Sequence, residues 1–336
     1  MKKWTLGSAQ VLALAALCAI SAELLAAYSD STGDIGAVLF NLIFFMALYG
    51  APALLIRELA RRLGWGWPSL LLLSAALGIL QACIIDQSMF ADQYGGYAGW
   101  EESRSATLIV PFGISAYNAY NFIIGHIIFS FAGPIAIAEA WRPNRAQAPW
   151  LRPFGMIVAA IFYVGSSALI MADPGSQSAS QGQLVISCIL VGACVVGAAV
   201  IGSRVESSHL ASAEQVDPLV LLLVTFTVAV ASMFAGEGWL GVAVGLGSTI
   251  LIVAMVIWRR IRFIWTPAHY AAVALGYLLS RGVLAFTYFP LLGEVEPLPK
   301  YLHNAAMLAI VLAAGALALK PGRPAMHAGM PGERAQ

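Results

Sequence analysis

Residues 183–203 read Gln183-Leu-Val-Ile-Ser-Cys-Ile-Leu-Val-Gly-Ala-Cys-Val-Val-Gly-Ala-Ala-Val-Ile-Gly-Ser203, a run that carries no charged side chain. An α-helix rises about 1.5 Å per residue, so this run extends about 30 Å, which is the thickness of the hydrocarbon core of a bilayer. We therefore predict that the run crosses a membrane as a single helix.

The composition of the chain extends this prediction to most of its length. Of the 336 residues, 60% are hydrophobic and 10% are charged, and the mean hydropathy is +0.81. Too few polar side chains remain to cover a water-soluble surface, so we predict an all-α, multi-pass membrane protein whose main partner is the lipid bilayer. The net charge of +1 excludes the concentrated basic face of a nucleic-acid-binding domain.

Ten apolar windows are long enough to cross a membrane, and polar or basic segments separate them. We predict a single transmembrane domain over residues 1–320, with five helices in 1–172, a polar external linker at 173–183 and five helices in 184–320. An odd number of helices in each half is compatible with inverted repeats, which are common in transporters. Residues 321–336 are predicted to form a disordered cytoplasmic tail. The ten windows are 5–28, 37–60, 68–90, 115–140, 154–172, 183–203, 217–235, 238–258, 265–289 and 301–319.

The basic residues indicate how the helices are oriented, because Lys and Arg avoid the translocated side of a membrane. With the N-terminus in the cytoplasm, only Arg104 and Lys300 fall outside, and Arg281 lies within the ninth window. The remaining Lys and Arg residues then lie in the cytoplasmic layer. We therefore predict that both termini are cytoplasmic.

The candidate ionisable residues at membrane depth within the predicted spans are Glu23, Asp86, His126 and Arg281. A charge near the bilayer centre costs at least ~3 kcal/mol on insertion scales, so each of these residues requires a reason. Counting from the helix ends places all four in the outer half or near the middle, which predicts a shared cavity open to the outside. Arg281 requires a carboxylate, and Glu23 and Asp86 are the candidates. The alternatives are a purely structural salt bridge and, for the two carboxylates, a solvated boundary position.

The fourth window carries a stripe of polar and small residues. At about 100° per residue these side chains share one face of a helix, and that face must contact protein or water. The stripe indicates either a packing seam or a polar face that lines a cavity, with His126 as a residue that titrates near neutral pH. Its members are Ser115, Asn118, Asn121, Gly125, His126 and Gly133.

The second window ends in a cluster of charged residues that includes Arg57, Glu58, Arg61 and Arg62. We interpret this cluster as a cytoplasmic anchor at the lipid headgroups, with an anion site as the alternative. Glu139 belongs to the same layer and lies beside Arg142 in the sequence.

Two stretches resemble an uncharacterised family of bacterial polytopic membrane proteins over roughly residues 40–142. The first runs from Leu55-Ile-Arg-Glu-Leu-Ala-Arg-Arg-Leu-Gly-Trp-Gly-Trp-Pro-Ser69 to Asp86-Gln-Ser-Met-Phe90, and the second runs from Asn118 to Glu139. The resemblance implies a location in the cytoplasmic membrane of a bacterium and implies no activity.

The pair Phe122 and His126 is also similar to the Phe-x-x-x-His motif of the CAAX-protease and bacteriocin-processing family. The paired glutamates of that family are absent, with Gln81 and Ala82 in their place. Hydrolysis of that type therefore lacks its activating base.

The candidate substrate or proton-coupling residues are therefore Glu23, Asp86, Asn118, Asn121, His126 and Arg281. We expect a permease or secondary transporter of a small or lipid-like molecule. An intramembrane enzyme that acts on a lipid or peptide, with His126 and Asp86 as acid and base, and a structural or accessory subunit are the alternatives. The chain has no Cys-x-x-Cys pair, no His-Glu-x-x-His motif and no phosphate-binding glycine loop, so we expect no metal and no cofactor.

Overall fold

A computed structural model describes residues 2–26, 32–94, 96–97, 99–203, 212–288 and 295–320. This part of the chain is almost entirely helical, which confirms the predicted all-α class. Within these ranges the long helices are α1, Lys2–Ala19 with the π-helical turn Ile20–Leu24; α2, Ile35–Arg62; α3, Trp67–Ile85; α4, Ala116–Ala140; α5, Pro153–Met171; α6, Gln181–Gly202; α7, Pro218–Met233; α8, Trp239–Arg262; α9, Pro267–Leu284; and α10, Pro297–Ala318.

Short elements connect these helices. One six-residue helix, Trp100–Ser105, lies between α3 and α4, and single 3-10 turns occur at Ser88–Phe90, Val110–Phe112, Pro143–Arg145 and Pro174–Ser176. Strands β1 (Leu108–Ile109) and β2 (Ile114–Ser115) pair antiparallel, and β3 (Ser212–Gln215) and β4 (Phe263–Ile264) pair parallel. We call the face of the bundle that carries residues 86–115 the upper face, and the face that carries residues 141–152 the lower face.

Eight of the described helices are long and apolar enough to cross a membrane, so the chain is a membrane protein. The two others are α7, which has 16 residues, and α9, which has 18 residues but includes the polar side chains of His269 and Arg281. Each of the ten predicted windows overlaps one of these described helices, and the number of membrane crossings stays a prediction.

The helices form an inner group and a peripheral group. Helix α4 is central, because it packs against α1, α3, α9 and α10. The peripheral helices α5, α6 and α8 expose large apolar side chains; Phe154, Ile189 and Ile250 are 76%, 64% and 65% exposed. Apolar side chains at this exposure are suited to contact with lipid and unsuited to water. The polar side chains of the bundle are accordingly concentrated on the inner helices.

Several helix ends differ from the predicted windows. Helix α3 stops at Ile85 because Gln87 adopts a left-handed backbone conformation, with φ of 53°, which no α-helix can include. Helix α9 ends at Leu284 and is followed by a turn. Residues 27–28 of the first window, residue 289 of the ninth and the predicted disordered tail at 321–336 lie outside the described residues.

Candidate functional site

Five π-helical segments interrupt the inner helices, and the predicted site residues are concentrated on them. Glu23, Asn121 and His126 lie within π-helical segments, and Asp86 directly follows one. A π-helical segment widens the backbone locally and is frequent at functional sites. The segments are Ile20–Leu24 in α1, Met46–Gly50 in α2, Gln81–Ile85 in α3, and Tyr120–Ile124 and His126–Ala132 in α4.

Glu23 and His126 are connected through Tyr49, a residue of α2. The Tyr49 hydroxyl donates to Glu23 Oε1 at 2.7 Å, and the Tyr49 ring lies 5.6 Å from the imidazole of His126, centroid to centroid. His126 Nδ1 is hydrogen-bonded to Ser130 Oγ at 3.0 Å. The π-helical segments of α1, α2 and α4 thus bring a carboxylate, a phenol, an imidazole and a hydroxyl into one row.

Asp86 lies at the upper end of the same row, one residue beyond α3. Its carboxylate accepts from the backbone N–H of Ser88 at 2.9 Å and from the side chain of Gln81 at 3.3 Å. It also lies within electrostatic range of the Tyr49 hydroxyl. Burial raises the pKa of the Asp86 carboxyl, and the hydrogen bonds from Ser88 and Gln81 oppose that rise. The adjacent Gln87 holds a strained backbone conformation, which is typical of functional sites.

Arg281 reaches from α9 to α1 and α4. Its guanidinium donates to the carbonyl of Ala22 at 2.8 Å and lies 4.9 Å from the centroid of the Phe129 ring. It is also close enough to His126 to act on it electrostatically. The predicted ion pair of Arg281 with Glu23 or Asp86 stays a prediction, although Arg281 does contact the residue that precedes Glu23.

The polar stripe predicted on α4 is divided between two faces of the helix. Asn118 is buried, and Asn121 lines a cavity beside α7, α8 and α9. His126 instead faces α3, where a Cβ placed on Gly78 would lie 3.2 Å from its own Cβ. The physical reason is the width of the predicted stripe: at about 100° per residue Asn121 and His126 lie about 140° apart around the helix, so the two edges of the stripe contact different neighbours.

The cavity beside Asn121, which we call the upper cavity, has a volume of about 90 Å³. Helix α4 contributes Asn121, Gly125 and Phe129, and α9 contributes Tyr277 and Ser280. The side chains that line it include aromatic rings, hydroxyl groups and one amide, and none of them is ionised at neutral pH. Such a lining binds a small, uncharged, polar molecule better than an ion.

The position of the upper cavity differs from the predicted one. We expected helices one, three, four and nine to form it, whereas α7 and α8 border it in place of α1 and α3. Of the six candidate residues, Asn121 lines this cavity. Glu23, Asp86, His126 and Arg281 lie behind it, on the side of α4 that faces α1, α2 and α3.

A second polar cluster lies near the lower face, and sequence reasoning assigned it the wrong environment. Arg57 and Glu58 are fully buried, and Arg61 and Glu139 are nearly so. Glu139 accepts from Arg57 Nε at 3.1 Å and from Arg61 Nε and Nη2 at 2.8 Å each. The expected headgroup anchor is therefore a buried ion-pair network, and only Arg62 of this group is substantially exposed, at 34% of its side chain.

This network also fixes the segment between α4 and α5. Arg57 donates to the carbonyls of Ala146 and Ala148 at 2.7 and 3.0 Å, and its guanidinium lies 3.5 Å from the centroid of the Trp150 ring. Glu58 accepts from the backbone N–H of Trp150 at 2.7 Å. Every guanidinium nitrogen of Arg57 thus has an acceptor, which satisfies the requirement for a buried charge.

Neither polar cluster has the composition of a metal centre. Across the ranges that the structure describes, no group of three His, Cys, Asp or Glu side chains is placed to hold a metal ion. Comparison of the chain with family models, with curated proteins and with solved structures finds no match.

Proposed function

We propose that the chain is a permease or secondary transporter of a small or lipid-like molecule in the cytoplasmic membrane of a bacterium, with ten crossings and both termini in the cytoplasm. In this proposal the upper face is external and the lower face is cytoplasmic. The observation that carries the proposal is the position of the upper cavity. It lies between α4 of the first five helices and α7, α8 and α9 of the last five. Transporters bind their substrates at such junctions, on helices whose regular winding is interrupted.

The ionisable row beside the cavity supplies a means of coupling. Glu23, Asp86 and His126 are groups that can bind and release a proton, and Arg281 provides a fixed positive charge beside His126. Arg281 and Phe129 link this row to the wall of the upper cavity, because the guanidinium covers the ring that forms part of that wall. A change in the protonation of these residues can therefore act on the wall of the upper cavity through Arg281 and Phe129.

Thiol labelling tests whether the upper cavity is open to water. In a variant whose native cysteines Cys18, Cys83, Cys188 and Cys194 are replaced by Ala, we expect Asn121→Cys and Ser232→Cys to react with an impermeant maleimide added outside, because both residues line the cavity and neither is buried. The control is Ser74→Cys, because Ser74 is fully buried in α3 and its hydroxyl bonds to Leu70. Labelling of Ser74→Cys alone, or of none of the three, contradicts the proposal.

A transport assay tests the activity itself. Reconstituted vesicles are loaded with a ¹³C-labelled small-molecule extract of bacterial cells, and release is followed by mass spectrometry. We expect at least one compound to leave faster than from vesicles that contain Asn121→Trp, which fills the cavity. Ile250→Trp is the matched control, since Ile250 lies exposed on α8, away from the cavity. Equal release of every compound from all three preparations contradicts transport.

A second candidate function, an intramembrane hydrolase, is favoured by the hydrogen bond between His126 Nδ1 and Ser130 Oγ. A serine hydroxyl bonded to an imidazole is the arrangement of an activated nucleophile. Such an enzyme would bind a fluorophosphonate probe covalently at Ser130, and Ser130→Ala and His126→Gln would both abolish that binding. A structural subunit would show neither probe binding nor transport, and the same variants would alter its stability alone.

A further inference from the structure

A second cavity, which we call the lower cavity, opens near the lower face and has a volume of about 70 Å³. Helix α4 contributes Ala136 and Glu139, α9 contributes Tyr270, and Trp67 and Trp265 complete the aromatic part of the lining. The lower cavity therefore lies between the same two helices, α4 and α9, that border the upper cavity.

The spacing of the lining residues places both cavities along one interface. On α9, which is a regular α-helix, Tyr277 lines the upper cavity and Tyr270 lines the lower one. Residues seven positions apart lie close to one face of such a helix and about 10 Å apart along its axis. On α4, Gly125 and Phe129 line the upper cavity, and Ala136, further along the chain, lines the lower one.

An apolar contact joins α4 and α9 at Gly133, which stands between the lining residues Phe129 and Ala136 in the sequence. Gly133 of α4 lies opposite Leu278 of α9, and a Cβ placed on Gly133 would be 3.2 Å from Leu278 Cδ1. Leu278 is fully buried, as is Ile137. The side chain of Leu278 thus occupies the space that the missing side chain of Gly133 leaves.

The lining of the lower cavity indicates the chemistry of its ligand. Trp67 and Tyr270 stack at 4.7 Å between ring centroids. The indole N–H of Trp265 is buried and has no hydrogen-bond partner among the described residues, so a ligand that supplies an acceptor would satisfy it. Glu139 is already paired with Arg57 and Arg61 and offers little net charge. An uncharged polar ligand therefore fits better than an ion.

We infer that the lower cavity is a second binding site for a small, uncharged, polar molecule, on a route along the α4–α9 interface that the Leu278–Gly133 contact closes. The ligand presents an acceptor to Trp265 and an apolar face to Trp67 and Tyr270. This inference rests on the proposed transport function, since it assigns the lower cavity to the same transported molecule.

Silver ion, a small and impermeant thiol reagent, tests the route in the cysteine-free protein that carries Ala136→Cys. In nitrate buffer we expect the thiol to react from the lower face in the parent. Leu278→Ala leaves a void at the Leu278–Gly133 contact, and we expect reaction from the upper face to become about tenfold faster. Leu275→Ala is the matched control, because Leu275 is equally buried but packs against Gly315 of α10. Leu278→Val replaces Leu278→Ala if the latter does not fold.

The outcomes separate this inference from the proposed function, because labelling does not depend on transport. A thiol that fails to react from the lower face, or equal effects of Leu278→Ala and Leu275→Ala, would overturn the route even where vesicles transport a compound.

Where a compound is transported, we also expect Trp265→Phe to slow its release while leaving the labelling of Asn121→Cys unchanged. Unchanged release from Trp265→Phe would overturn the second binding site. If no compound is transported, upper-face labelling confined to Leu278→Ala still supports the connected route.

Discussion

Glu139 is the residue on which the lower charged network depends, because it accepts hydrogen bonds from both Arg57 and Arg61. Glu139→Gln leaves the buried Arg61 guanidinium without a counter-ion and leaves Arg57 with Glu58 alone, and loss of one partner costs about 3–5 kcal/mol in comparable buried pairs. We expect a clear fall in the thermal unfolding midpoint of the detergent-solubilised protein.

Glu102→Gln is the control for this change, since Glu102 is exposed in the short helix Trp100–Ser105 at the upper face. Its unfolding midpoint should equal that of the parent. Addition of Arg61→Gln to Glu139→Gln removes the stranded charge and should recover part of the loss. Equal midpoints for Glu139→Gln and Glu102→Gln would contradict the role of the network.

Asp86 gives the stability of the protein a pH dependence whose sign follows from its environment. Burial raises the pKa of this carboxyl in the folded protein above its value in the unfolded chain. Its contribution to stability is therefore fully present below the unfolded pKa and is lost as the pH rises through the folded pKa. We expect the unfolding midpoint of the parent, relative to that of Asp86→Asn, to fall as the pH is raised above about 4, the ordinary pKa of an aspartate. A constant difference above this pH would show that the site does not penalise the ionised carboxylate.

At the scale of the elements, the sequence predicts the helices well and their internal irregularities poorly. An apolar window of the right length requires a helix, because lipid offers the backbone no other hydrogen-bond partners. A π-helical segment such as Tyr120–Ile124 leaves this apolar pattern almost unchanged, so nothing in the sequence reveals its presence.

The buried network was missed for a different reason. Arg57 and Glu139 are 82 positions apart and meet only when α2 packs beside α4. The adjacent Arg57 and Glu58 were visible in the sequence, as was Glu139 in the same layer, but a cluster at a helix end is typical of a headgroup anchor. Tyr49, which connects Glu23 to His126, was not singled out, because a single tyrosine in an apolar run carries no spacing signal.

Helix α8 offers a test of how closely the elements pack around the upper cavity. A Cβ on Gly245 would lie 2.6 Å from the ring of Tyr120, whereas one on Gly247 would meet nothing within 4 Å. Gly245→Ala should therefore destabilise the protein by about 1–3 kcal/mol through overpacking. Gly247→Ala, in the same helix, should leave the thermal unfolding midpoint unchanged or slightly raise it. Tyr120→Leu should relieve the first effect, and equal midpoints for the two glycine variants would refute the close approach of α8 to Tyr120.

At the scale of the whole molecule, polar groups are distributed in two layers that an apolar layer separates. The upper layer contains Glu23, Tyr49 and His126, and the lower layer contains Arg57 and Glu139. The two cavities accompany these layers on the α4–α9 interface. Each buried charge reduces stability unless it is fully paired, and the proposed closed route between two aqueous spaces would account for polar groups in both layers.

The topology of the bundle provides the last prediction, because the number of crossings depends on α7 and α9. Helix α7 has only 16 residues, and Arg281 lowers the apolar character of α9. Reporter fusions are therefore needed to test whether each of these helices crosses the membrane. Reporter domains after Arg152 and Lys320 should report the cytoplasm, whereas those at Ser178 and Glu237 should report the exterior. If α7 and α9 both failed to cross, the fusion at Glu237 would change sides while the one at Lys320 would not. The fusion at Ser178 precedes both helices, so a cytoplasmic signal there would reverse the proposed orientation, irrespective of how α7 and α9 behave.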